Sequence, residues 1–144
     1  VKDAMTAVEV GVRDDGVTAM HDATEGGVWG GLYEIAVASG VGMVVEQNAI
    51  VVSPAARAVC DLFGMNPYAA ISEGTLIITC RPEKAAAVLA RLEDAGIAAS
   101  QVGEITPPEE GIRLVRDGRE EPLEHPRVDP FWDAFARALA EEAG

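Results

Sequence analysis

His21-Asp22-Ala23-Thr24-Glu25-Gly26-Gly27 follows a short apolar run, Val17-Thr18-Ala19-Met20, and precedes a helical pattern from Val28 to Ser39. Strand, small polar turn, paired glycines and helix start, in that order, aim unpaired backbone N–H groups at an anion. The stretch is not a Walker loop, because the Gly-Lys-Ser/Thr ending is absent. Nor is it a Rossmann fingerprint, because the spacing is wrong and no third glycine precedes the helix properly. It predicts a strand feeding a helix, and the flanking sequence repeats that alternation.

Upstream, Val1, Met5, Val8 and Val12 fall at helical spacing and predict a helix over 2–12. Asp14-Asp15-Gly16 is a turn signal. Downstream, Ser39-Gly40 ends the second helix, and the valine-rich 41–46 reads as a strand. Ile50-Val51-Val52 reads as a second short strand. Ser53 is a good helix cap with Pro54 in the first turn, and that helix stops at Gly64. Thr75 to Cys80, nearly continuous in apolar and β-prone residues, predicts a central strand covered on both sides. Arg81-Pro82-Glu83 starts a helix ended by Gly96. Gly103-Glu104-Ile105 and Ile112-Arg113-Leu114-Val115 predict two short strands, with Asp117-Gly118 turning after the second. Pro122 to Pro130 reads as extended. Asp129 and Pro130 open a last amphipathic helix with Phe131, Trp132, Phe135 and Leu139 on one side. The fold class is therefore α/β: a mixed sheet with helices packed on it. Residues 1–106 make the main domain. Residues 107–144 make an extension, with a strand and the terminal helix, packed on the same domain.

A chain of 144 residues with 49% hydrophobic content fits one domain with a sizeable core. The formal charge is −13, from 24 acids against 11 lysines and arginines. Such a surface repels nucleic acid and anionic lipid, so neither is expected as a partner. Acidity of this kind fits either a salt-rich cytoplasm or ordinary composition. No apolar run approaches the ~20 residues that span a bilayer. No signal peptide is visible, and Cys60 and Cys80 read as buried free thiols, so the expected location is cytoplasmic. The start at Val1 fits a processed chain or a piece of a longer one.

Chemistry concentrates in two small polar turns. Asp22 and Thr24 either cap the following helix or bear on a ligand, Asp22 by orienting the loop or meeting a metal-phosphate group. Gly26 and Gly27 let the backbone turn sharply and approach a ligand closely. His21, at the strand end, is either structural or an acid–base group near neutral pH. Glu73, between Ser72 and Gly74, is a turn residue, an acceptor for amides of a neighbouring loop, or a ligand contact. Trp29 and Tyr33, four apart on one helix, form an aromatic patch over the core or against another domain. Two histidines as far apart as His21 and His125 support no zinc site, and no metal ligands are expected.

Met20 to Gly27, Leu32-Tyr33-Glu34-Ile35-Ala36, Gly40-Val41-Gly42 and Ser72-Glu73-Gly74 resemble, in order, the C-terminal domain of the AIR synthase-related superfamily. The likeness covers roughly residues 1–106 and is closest to the HypE family of hydrogenase expression/formation proteins and its archaeal relatives. It implies an α/β sandwich facing the cleft of an ATP-dependent enzyme. ATP and Mg²⁺ belong to the full-length protein, and the isolated domain has no cofactor and no catalysis of its own. The expected partners are an N-terminal ATP-binding domain and, in the full-length protein, a second copy forming a homodimer. His21, Asp22, Thr24, Gly26, Gly27, Glu73 and Gly74 carry over as cleft-lining residues. A bulky Gly27→Trp is then expected to block ligand binding and leave the fold intact. One departure is chemical: the family's Pro-Arg-x-Cys tail, which carries a carbamoyl group, has no counterpart thiol at the end of this chain. Relatives with other substrates, a thiamine-monophosphate kinase or a formylglycinamidine cyclo-ligase, remain alternatives, as does a non-catalytic interaction module built on Phe131-Trp132.

Overall fold

The computed structural model describes residues 1–142. Helix α1 (Lys2–Val8) leads into strand β1 (Val17–Ala23), and the glycine turn then opens helix α2 (Gly27–Ser39). Strand β2 (Gly42–Glu46), helix α3 (Pro54–Phe63), strand β3 (Thr75–Cys80) and helix α4 (Ala85–Asp94) follow. Strands β4 (Gly103–Thr106), β5 (Ile112–Arg116) and β6 (Arg119–Pro122) precede helix α5 (Pro130–Glu142).

The strands form two sheets. β1 and β3 make an antiparallel ribbon with Met20 opposite Ile78 and Ala23 opposite Thr75. The other four make a mixed sheet in the order β4-β2-β5-β6, with β2 and β5 parallel and the other pairs antiparallel. The expected α/β class with a mixed sheet is therefore present. Thr75–Cys80, however, is not a central strand, since among the described residues β1 is its one strand partner. Its continuous apolar pattern has another cause: the ribbon is covered on both faces. Ala19, Ala23 and Ile77 join the main core with Leu32, Ile35 and Ala36 of α2, Met43 and Val45 of β2, and Leu114 of β5. Met20, Ile78 and Cys80 face the other way, onto Ala7 of α1 and Val88 and Leu92 of α4.

Two other expectations are corrected, and one strand is new. Helix α1 ends at Val8, because the chain turns at Gly11 (φ +124°) and the Gly11 carbonyl accepts the Val17 N–H that starts β1. Ile50-Val51-Val52 is not a strand; a tight turn at Gln47–Ala49 precedes it, and only Ile50 is buried. β6 has no apolar signal at all. It is a charged edge strand tied to β5 by Arg113–Glu120 and Arg116–Glu121 ion pairs, which suits an unpaired sheet edge. The cap at α3 is as expected: Ser53 Oγ accepts the Ala56 N–H at 3.1 Å, and Gly64 closes the helix at φ +64°.

Candidate functional site

The antiparallel register of the ribbon brings the two polar turns to one end. The Ser72 N–H donates to the Thr24 carbonyl at 3.2 Å, and the Ser72 and Thr75 hydroxyls lie 3.0 Å apart. Asp22, Glu25, Glu73 and Gly74 are exposed at this end. Among the described residues, Asp22, Glu25 and Glu73 form no ion pair. His21 and Asp22 are neighbours on a strand and so project to opposite faces. His21 lies on the α2 side, where its ring approaches Gly31. Asp22 projects from the other face and caps nothing.

The turn itself differs from an open anion cradle. Three of its amides are engaged within the chain: Gly26 N–H to Asp129 Oδ2 at 2.8 Å, Gly27 N–H to the Thr24 carbonyl at 3.0 Å, and Trp29 N–H to the Tyr68 carbonyl at 2.9 Å. Neither Asp22 nor Thr24 caps α2; the cap residue is Gly26, and the capping oxygen comes from Asp129. Gly27 (φ +61°) is a packing glycine. A Cβ there would sit 2.5 Å from the Ala70 carbonyl and 2.7 Å from that of Tyr68. The 68–70 loop, not a ligand, makes the close approach, so Gly27→Trp cannot leave the fold intact. Gly74 (φ +85°) has open space around it.

Beside the turn, Glu34 of α2 holds two histidines. His21 Nε2 lies 2.7 Å from its Oε2, and His125 Nε2 lies 3.1 Å from its Oε1. Hydrogen bonding from His21, and then from His125, holds the Glu34 carboxyl below its ordinary range against the opposing effect of burial. The aromatic patch divides: Trp29 stacks on Tyr68 at 5.8 Å, and Tyr33 meets His125 edge-on at 5.6 Å. Both cysteines are free, and burial pushes both thiols up, which disfavours the reactive thiolate. The sequence pattern marks Glu34 only as a solvated helix residue and Asp129 only as a helix start, and it gives neither its partners. The one signal for Asp129 was Asp followed by Pro at a helix start, and its partner 103 residues away is visible only in the fold.

Residues 1–116 match the family of AIR synthase related proteins, C-terminal domain. The chain belongs to that family. Within it the similarity is to hydrogenase-maturation proteins. The chain is 36% identical to the carbamoyl dehydratase HypE of Escherichia coli over 119 residues, 81% of this chain and 35% of that protein. It is 38% identical over 103 residues to HypE of Cupriavidus necator, covering 70% of this chain and 29% of that one. The crystal structure of E. coli HypE superposes with a TM-score of 0.76 at 33% identity, covering 90% of this chain and 40% of that chain. A HypE solved in complex with ATP superposes at 0.67 and 28% identity, over 76% of this chain and 36% of that chain. The chain thus spans between 29% and 40% of the length of these relatives.

Proposed function

We propose that this chain works as the C-terminal domain of an ATP-dependent, HypE-like enzyme, with the ribbon end lining the nucleotide and substrate cleft. The observation that carries the reading is the meeting of the two polar turns, joined by the Ser72–Thr24 bond, with the Asp22 and Glu73 carboxylates exposed beside them. Among the described residues no three acidic, His or Cys side chains are grouped to hold a metal by themselves, so these two carboxylates would meet Mg²⁺ only together with the nucleotide's phosphates. The two segments hold no Lys or Arg, and three of the turn amides are engaged within the chain, which assigns most direct contacts to phosphate to an N-terminal ATP-binding domain. The chain's own share is then to position the metal-bound nucleotide and shape the substrate side.

In the complete gene product, Asp22→Asn and Glu73→Gln are each expected to lower magnesium-dependent ATP turnover by about tenfold or more with the circular dichroism spectrum unchanged. Full turnover in both variants would remove the cleft assignment. A second reading, an interaction module, draws on α5, where Trp132, Phe135 and Leu139 are each about half exposed. Retention of ATP turnover after Trp132→Ala, with loss of a co-purifying partner, would favour it.

A further inference from the structure

We propose that residues 123–131 form a strap closed over the glycine turn, bolted by Asp129 and fastened a second time by His125. Asp129 is 4% exposed. Its carboxylate accepts the Gly26 N–H through Oδ2 and the Phe131 N–H through Oδ1, both at 2.8 Å. One carboxylate therefore caps the N-termini of α2 and α5 together, and both helix dipoles favour negative charge there. At the second fastening, His125 bonds Glu34 and packs its ring edge-on to Tyr33.

The strap lies close against the first turn of α2: a Cβ on Gly26 would be in ordinary van der Waals contact with the Pro126 carbonyl at 3.5 Å, and one on Gly30 with His125 Nε2 at 3.5 Å. Between its fastenings it buries little. Glu124, Arg127 and Val128 are exposed, and Leu123 alone among its apolar side chains enters the core. A segment held by polar bolts rather than apolar area can open while the core stays folded. Closed, the Asp129 carboxylate occupies the helix terminus that a ligand's anionic group would otherwise approach. That consequence rests on the cleft reading above; the strap itself does not.

Amide hydrogen exchange by NMR on the 144-residue chain tests it. In the wild type, the Gly26 and Phe131 amides should be protected. In Asp129→Ala, protection at Gly26 should fall by about tenfold or more while Ile35, Ala36 and β1 keep theirs. His125→Ala should give a smaller fall at the same amides. Unchanged protection at Gly26, or a collapse spread through α2 and β1, would overturn the strap. A measurement on the wild type guards against a variant that fails to fold. Trypsin should cut after Arg127 at a rate insensitive to mild urea, and cutting only where the whole chain unfolds would refute local opening. Magnesium ATP added to the complete gene product is a separate arm. A larger Gly26 shift in Asp129→Ala than in the wild type supports competition. No shift in either protein, with the exchange result intact, would sink the cleft reading while the strap stands.

Discussion

At the residue scale, similar glycines have different work. Gly27 and Gly74 both sit at positive φ in the two motif turns, but Gly27 faces carbonyls inside van der Waals range and Gly74 faces open space. Gly27→Ala is expected to cost about 2–4 kcal/mol, from left-handed strain plus overpacking. Gly74→Ala should cost about 1 kcal/mol, from strain alone. Urea denaturation of both variants checks the contrast; equal losses would show that the 68–70 loop gives way. Glu34 supplies a pH test. Its carboxyl is held below the ordinary 4.5, so its contribution is complete above that value and is lost as pH falls through the lowered folded value. Glu34→Gln should therefore flatten the loss of stability below about pH 4.5, a modest effect because the side chain is 47% exposed. An unchanged acid limb in urea midpoints measured against pH would contradict this.

At the scale of elements, local chemistry set boundaries well where it acted alone. Ser53-Pro54 starts α3 and Gly64 ends it, as their types require. Ser53→Ala should cost about 1 kcal/mol, read as a shift in thermal midpoint. Elements that depend on neighbours were harder to see. β6 is charged because it is an edge, so it lacked the alternation that marks a half-buried strand. Ile50-Val51-Val52 has the composition of a strand but no partner strand. The capping of α2 is the sharpest case: Asp22 and Thr24 are near in sequence, yet the extended β1 backbone carries Asp22 away from the helix start. The oxygen that caps α2 arrives from beyond β6.

At the scale of the molecule, β5 lies between β2 and β6, Leu123 enters the main core, and Asp129 caps α2. A chain ending at Arg116, where the family match stops, is therefore expected to melt several degrees lower, since it loses an edge strand, a core leucine and a buried cap. An unchanged melting temperature would mean that residues beyond 116 are an appendage. No helix among the described residues is long and apolar enough to cross a membrane. The sequence by itself determined the α/β class, most helix ends and the family, because propensity, capping and the order of short motifs act over a few residues. Tertiary structure alone decided that the strands divide into a ribbon and a sheet, that the two polar turns meet, and that Asp129 already holds the Gly26 amide. Strand pairing and long-range capping join residues that local pattern cannot connect, and here the decisive hydrogen bond crosses most of the chain.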